Sequence, residues 1–265
     1  MTRDSSERSG ADFFEIRFES IGGLGAHVAG KIVAAAAVLR MNMNGSHFSS
    51  YGSEKKGSVV RSFIRLAPAD RAIRTSAPIE EPDVIVVFHS GLLAHPATLS
   101  GLKAGGTLIF AGKEGDIPDG LAHAPRTAKI IRVDAQKIAF EEHSRENAVL
   151  IGTLAEAVPE LDRQAVLDAL DATFAGKSHV IVAANKRAFM RGGEEVEIMD
   201  GVGQLDSSVP TMQSNPVWGY RTAPIGGVLP TPGNTAHNDL HTSRTGWMPV
   251  LDRDKCIDCG MCDMV

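Results

Sequence analysis

The stretch "SIGGLGAHVAGKIVAAA", residues 20–36, shows how the fold begins. It overlaps the strand-like "FFEIRFES" of residues 13–20 and runs into small and aliphatic residues as far as Arg40. A short apolar strand, a glycine turn and an Ala-rich helix are the opening of a βα unit. We therefore expect Gly22 to Gly25 to form a strand-to-helix turn.

Strand-like and helix-like segments alternate after this unit. The strand candidates are "GSVVRSFIRLA" (57–67), "PDVIVVF" (82–88), "GTLIFAG" (106–112) and "AKIIRVD" (128–134). The helix candidates are "GLLAHPATLSGLKAG" (91–105), "SRENAVLIGTLAEA" (144–157), "DRQAVLDALDATFAG" (162–176) and "SHVIVAANKRAFMRGG" (178–193). Gly176 and Gly192 are interpreted as stops of the last two helices. This alternation predicts a three-layer α/β domain over 13–199, with a largely parallel, Rossmann-like sheet covered on both faces.

The rest of the chain has a different character. Residues 1–12 are charged and predicted to be disordered. Residues 200–250 are rich in Pro, Gly, Ser, Thr and Asn and hold both tryptophans, Trp218 and Trp247. Because exposed indoles are costly, we expect this stretch to be an extended arm that packs on a partner surface or on the parent domain, rather than a free linker.

The composition excludes several classes of protein. Hydrophobic residues make up 43% of the 265 residues, enough for a full core, and the formal net charge is -5. Without a dominant basic surface, nucleic acid and anionic membranes are not expected as partners. The charged N-terminus lacks the apolar core of a signal peptide, and the apolar run "IVAAAAVL" (32–39) is too short to span a bilayer. We expect a cytoplasmic protein.

The glycine turn is weak evidence for a dinucleotide. Ser20 stands at the first position of the usual G-x-G-x-x-G, and roughly twenty residues past Gly25 the chain reads "NMNGSHF", with no acid to hold a ribose hydroxyl. A structural turn or a partner contact is favoured over NAD or FAD. The charged loop in "SSYGSEKKGSVV" (49–60) is, by its composition alone, typical of a solvated loop.

The cysteines carry the strongest chemical signal. Cys256-x2-Cys259-x2-Cys262 is the opening of the bacterial ferredoxin pattern C-x2-C-x2-C-x3-C-P. A structural zinc site would need a second pair of ligands further along. The pattern therefore predicts ligands of a [4Fe-4S] cluster, with residues 251–265 as the start of a ferredoxin domain.

Five blocks of the sequence, in their order, resemble the gamma subunit of the 2-oxoacid:ferredoxin oxidoreductases, the family of pyruvate:ferredoxin oxidoreductase. They are "SIGGLGAHVAGKIVAAA", "SSYGSEKKGSVV", "PDVIVVF", "RENAVLIGTLAEA" and "ANKRAFMRGG". "TSRTGWMPVLDRDKCIDCGMC" is similar to the start of the delta, ferredoxin-like subunit. Ser20 and Leu24 stand where the family often has Gly and Gln. The resemblance covers roughly residues 14 to 262.

The resemblance implies a complex in which alpha and beta subunits hold thiamine diphosphate, Mg2+ and the oxoacid. The gamma part helps to enclose that site and coenzyme A, and the delta part passes electrons through [4Fe-4S] clusters to ferredoxin or flavodoxin. The residues expected to contact the partner subunits or coenzyme A are Gly22, Gly23, Gly25, Ser50, Tyr51, Gly52, Glu54, Lys55, Lys56 and Gly57. No residue of this chain is expected to be catalytic.

Two other functions stay open at this point. One is a free-standing oxidoreductase that binds NAD or FAD, and the other is a non-catalytic assembly scaffold that carries a ferredoxin domain. The fourth cysteine of the ferredoxin pattern would fall directly after Val265. We therefore expect the 265 residues to be the N-terminal part of a longer gamma-delta fusion, and a cluster site that is incomplete in this chain.

Overall fold

The computed structural model describes residues 13–51 and 58–211. Seven strands form one sheet: β1 Phe14–Ile21, β2 Met43–Tyr51, β3 Val59–Pro68, β4 Val84–Val87, β5 Thr107–Ala111, β6 Lys129–Val133 and β7 Val196–Ile198. The α-helices are α1 Ala26–Arg40, α2 Ala135–Glu141, α3 Glu146–Ala157, α4 Arg163–Phe174 and α5 His179–Glu194. Three 3-10 helices lie at Ser90–Ala94, Pro96–Thr98 and Asp119–His123.

The sheet is mixed, with the strand order β2-β3-β1-β4-β5-β6-β7. Neighbours are parallel from β1 through β4 and β5 to β6. The pairs β2–β3, β1–β3 and β6–β7 are antiparallel. The α/β class is confirmed, but the expected largely parallel sheet is limited to its four central strands. The short connection between β2 and β3 accounts for one of the three antiparallel pairs, because parallel strands need a longer crossover.

The α-helices of the described chain all pack on one face of the sheet, in a single hydrophobic cluster with the side chains of β1, β4, β5 and β6. The opposite face is covered by the 3-10 helices and by residues 199–209. The expected coverage of both faces is confirmed, although the second layer contains 3-10 helices instead of α-helices, and the expected helix over 91–105 was wrong. Pro96 and the positive φ of Gly101 interrupt that segment, which forms only short 3-10 turns.

Helices α3 and α5 approach each other through glycines. A Cβ on Gly152 would overlap the carbonyl oxygen of Phe189, and a Cβ on Gly192 would overlap that of Val149. Gly192 lies inside α5, which continues to Glu194, so its interpretation as a helix stop was wrong. Its role is close helix packing.

Strand β1 has one apolar face and one charged face. Ile16 and Phe18 point into the helix-covered core, whereas Arg17 and Glu19 are buried on the other side. The Arg17 guanidinium donates to the carbonyl oxygens of Thr98 and Ser100, and its Nε lies 2.9 Å from Glu19 Oε1. Burial raises the pKa of Glu19 and lowers that of Arg17, but the ion pair opposes both shifts.

Residues 199–209 follow β7 and pack on the second face of the sheet. Val209 is buried there, its amide donates to Leu102 O, and its carbonyl accepts from Gly101 N. The start of the predicted arm thus belongs to the packed layer. Trp218, Trp247 and the three cysteines lie outside the described residues. Within the described residues, no helix has the length and apolar character that a membrane span requires.

Candidate functional site

The glycine turn lies at the carboxyl end of β1, where successive connections of the chain lead to strands on opposite sides of β1. From β1 the chain passes through α1 to β2 and β3 on one side, and β4 pairs with β1 on the other. Such a switch point leaves a crevice outside the carboxyl ends of the strands, where α/β proteins usually bind ligands. The predicted position of Gly22 to Gly25 between strand and helix is confirmed.

Two glycines of the turn have conformations that other residues rarely adopt. Gly23 has φ 107° and Gly25 has φ 83°. Gly25 is also needed for space, because a Cβ there would lie 2.7 Å from Asn147 Nδ2. The Asn147 side chain is buried and donates to Gly25 O at 3.4 Å. These contacts explain Gly25 by packing against α3, without a pyrophosphate.

The turn also forms a hydrogen bond with the residue that follows the charged loop. Gly22 N donates to Ser58 O at 2.9 Å, directly before β3. Ser50 and Tyr51 are exposed at the end of β2, before the loop. The structure therefore brings the glycine turn and the two ends of the loop to one edge of the sheet. The remaining predicted site residues lie outside the described residues. They are Gly52, Glu54, Lys55, Lys56, Gly57, Cys256, Cys259 and Cys262.

A polar cluster lies between α1 and β2, next to this edge. Ser49 Oγ is 3.1 Å from His27 Nδ1, 3.3 Å from His47 Nε2 and 2.7 Å from Ser62 Oγ. The rings of His27 and His47 are 4.9 Å apart, and the ring of Tyr51 is 6.3 Å from that of His27. The cluster connects the beginning of α1 to the exposed end of β2.

His47 is held neutral in this cluster. Its ring lies against α1, where a Cβ on Gly30 would be 2.6 Å from it. Burial, together with the nearby His27 and Lys31, lowers the pKa of His47 to about 4. At neutral pH, His47 therefore acts as a fixed hydrogen-bonding group without charge.

A cleft of about 800 Å3 lies outside the carboxyl ends of β4, β5 and β6. These strands end before His89, Gly112 and Asp134, all of which line it. Its carboxylates are Glu114, Asp116, Asp134 and Glu146. Burial raises the pKa of Glu146, an effect that His89 opposes and Asp134 reinforces. These four carboxylates make it an acidic cleft.

Sequence reasoning missed both the polar cluster and the acidic cleft. "GSHFSSY" (45–51) shows no apolar–polar alternation, and the pairing with β3 is what places His47, Ser49 and Tyr51 on one side of β2. The carboxylates of the cleft come from three separate stretches of the chain. The ends of the predicted strands were the available signal, since ligand sites collect there. Residues 13–51 and 58–211 contain no group of three side chains suited to hold a metal ion.

The fold and site define a Rossmann-like α/β domain with a glycine turn at its switch point. A sequence profile described as pyruvate ferredoxin/flavodoxin oxidoreductase matches residues 15–195, and the chain belongs to that family. Pyruvate synthase subunit PorC of Thermotoga maritima is 34% identical over 188 residues, which cover 70% of this chain and 95% of that protein.

Further relatives agree with this assignment. The crystal structure of pyruvate oxidoreductase subunit PORC from Thermotoga maritima matches with a TM-score of 0.60 and 30% identity, over 72% of this chain and 100% of that one. The gamma subunit of NADH-dependent phenylglyoxylate dehydrogenase from Aromatoleum evansii is 32% identical over 70% of this chain and 95% of its own length. The resemblance to gamma subunits of 2-oxoacid oxidoreductases is confirmed.

Proposed function

We propose that this chain is the gamma-type subunit of a thiamine-diphosphate-dependent 2-oxoacid:ferredoxin oxidoreductase. The complex would oxidatively decarboxylate a 2-oxoacid such as pyruvate, or run the reverse, CO2-fixing synthase reaction. The observation that carries the proposal is the 34% identity to a pyruvate synthase subunit over 95% of that subunit's length. The names of the relatives include pyruvate, ketoisovalerate and phenylglyoxylate enzymes, which supports 2-oxoacids as the substrate class.

The chemical step belongs to partner subunits in this proposal. Alpha and beta subunits would hold thiamine diphosphate and Mg2+, and the cofactor would supply the decarboxylation chemistry. The described residues of this chain would help to position the partner subunits and to enclose the active site that those subunits hold. The rigid sheet edge with the glycine turn and the neutral His47 is suited to that role, because side chains on packed elements hold their geometry.

The candidate contact site for partners or coenzyme A is the loop edge of the sheet. It comprises Gly22, Gly23, Gly25, Ser50 and Tyr51, followed by the loop with Gly52, Glu54, Lys55, Lys56 and Gly57. The hydrogen bond from Gly22 N to Ser58 O supports treating turn and loop as one site. Lys55 and Lys56 would bind the coenzyme A phosphates as point charges.

The electron exit would be supplied by the cysteine-rich tail. Cys256, Cys259 and Cys262 are proposed as ligands of a [4Fe-4S] cluster, on the ferredoxin spacing. Residues 200–250 would connect the gamma domain to this module, and ferredoxin or flavodoxin would accept the electrons in the cytoplasm.

The test is purification of the native complex from its source cells through a tag on this chain. We expect mass spectrometry to identify two further subunits that bind thiamine diphosphate. We also expect the complex to reduce ferredoxin with a 2-oxoacid, an activity that the isolated chain lacks. Flavin absorbance or tight NAD binding by the isolated chain would favour a free-standing dehydrogenase instead. Recovery with an iron-sulfur protein but without thiamine-dependent subunits would favour an assembly scaffold.

A further inference from the structure

The lining of the acidic cleft holds more carboxylates than cationic side chains. None of Glu114, Asp116, Asp134 and Glu146 takes part in an ion pair within residues 13–51 and 58–211. Acids on the helical surface differ in this respect. Asp168 is paired with Arg40, Glu142 with Arg187 and Arg191, and Glu156 with Arg163. The lining of the cleft includes one lysine, Lys113, and one histidine, His89.

Two of these acids also have local structural roles, and two do not. Asp134 caps α2 by accepting from Lys137 N, and Glu146 occupies the first turn of α3, where helices favour acids. Glu114 and Asp116 lie in the loop after β5 and cap no helix. Their charge adds to that of the other two, so the cleft as a whole attracts cations.

An exposed aromatic side chain lies beside the cleft. Phe140, near the end of α2, is 80% exposed. It lines a groove of about 290 Å3 that shares Leu24, Gln136 and Glu146 with the acidic cleft and also contains Arg145. Large apolar side chains exposed next to a concave polar surface are typical of protein interfaces, in which aromatic residues often act as anchors. The groove and the acidic cleft together are called the Phe140 surface.

We propose that the Phe140 surface is the docking site for a basic segment of another subunit of the same oxidoreductase. The segment would place an apolar side chain against Phe140 and Leu24, with lysine or arginine side chains in the acidic cleft. The identity of the partner as an oxidoreductase subunit rests on the proposed function.

The excess of four carboxylates over Lys113 and Arg145 favours this occupant over two others. A second copy of the chain, docked by the same surface around a two-fold axis, would bring one acidic cleft against another, and like charges repel. A phosphate-bearing ligand would meet the same repulsion. A basic protein segment is attracted and also covers the exposed ring of Phe140.

The test uses the full chain, co-expressed with the thiamine-dependent subunits that co-purify with it. Two variants change the surface without touching the caps: Glu114→Lys with Asp116→Lys, and Phe140→Asp. The matched charge control is Glu80→Lys with Glu81→Lys. These two exposed acids precede the amino end of β4, whereas the cleft lies at its carboxyl end. The matched apolar control is Val180→Asp on α5, where Val180 is 76% exposed. Thermal unfolding of each isolated chain verifies that it is folded.

We expect each surface variant to raise the dissociation constant of the complex about tenfold or more, the range seen for charged and aromatic interface residues. The two controls should stay within about twofold of the wild type, and salt should weaken the wild-type complex more than the complex with the double lysine variant. Surface variants that bind like the controls would overturn the proposal. So would a wild-type chain that self-associates through Phe140.

The same experiment separates this proposal from the proposed function. If the wild-type chain recovers no thiamine-dependent subunit, the proposed function fails. If it recovers such subunits and the surface variants do so equally well, the function stands and the docking site is elsewhere.

Discussion

His47 shows how one residue couples the fold to pH. Its imidazole is wedged between α1 and β2, with Ser49 beside it and two further basic groups, His27 and Lys31, close by. A charged imidazole there would be partly desolvated and repelled, which is why the pKa falls from its ordinary 6.5 to about 4. The unfolded chain binds a proton at His47 more readily than the folded chain does.

We therefore predict an acid-dependent loss of stability. The contribution of His47 is fully present above pH 6.5 and is lost as the pH falls toward 4, since the folded pKa is the lower one. Because the ring is only partly buried, we expect about 1 kcal/mol between pH 7.5 and pH 5 after allowance for solvent screening. Urea unfolding at the two pH values measures it. His47→Gln should remove this difference, whereas replacing the exposed His95 by Gln should keep it, and equal pH dependence in both variants would contradict the prediction.

Gly23 permits a separate test of the turn. Its φ of 107° is reached easily only by glycine, while a Cβ there would meet no atom within 4 Å. Gly23→Ala should therefore destabilise the chain through backbone strain alone, by about 1–2 kcal/mol. The free energy of unfolding in urea measures the loss. No loss would mean that the turn relaxes easily to another conformation, which would weaken its role as a rigid site element.

Among the elements, the α-helices α3 and α5 pack so closely that their contact depends on side-chain size. Gly152 and Gly192 let each helix lie directly on the backbone of the other. Thr153 adds a hydrogen bond from its hydroxyl to Gly192 O at 2.6 Å. A methyl group at either glycine meets a carbonyl group rather than a flexible side chain, so the helices must separate.

Gly192→Ala should thus lower the free energy of unfolding by about 3 kcal/mol or more, the cost of overpacking a rigid contact. Gly176→Ala is the matched control, because a Cβ there meets nothing within 4 Å. We expect the control to lie within about 1 kcal/mol of the wild type. Chemical unfolding of both variants decides the matter, and similar values for the two would show that α3 and α5 can move apart freely.

The sequence predicted those elements whose patterns are local. Strand β1, the glycine turn and α1 follow from one stretch, and α3 and α4 follow from their helical periodicity. Strand β2 was missed because its glycine, serine and asparagine residues have low strand propensity, and it is stabilised by pairing with β3 and packing against α1. The role of Gly192 was missed because only its tertiary neighbour, Val149, reveals it.

At the scale of the whole molecule, the functional edge is assembled from distant parts of the chain. The glycine turn was visible in the sequence, but its contact with Ser58 depends on the order of the strands. The acidic cleft joins residues that follow β5 and β6 to the start of α3, and Phe140 comes from α2. Such a site becomes visible only when the parallel strands are placed side by side, because no single stretch holds more than a fragment of it.

The last prediction concerns the charged loop in the assembled enzyme. If Lys55 and Lys56 bind the phosphates of coenzyme A, then replacing both by alanine should raise the KM for coenzyme A about tenfold and leave kcat nearly unchanged. A rise in KM without a change in kcat indicates the loss of a contact that binds the coenzyme equally well in the ground state and in the transition state. Steady-state kinetics of the purified complex measures it, and Lys177→Ala, an exposed lysine between α4 and α5, is the control. An unchanged KM with weaker subunit association would assign the loop to a protein contact instead, because loss of the two charges would then act on assembly and not on the coenzyme.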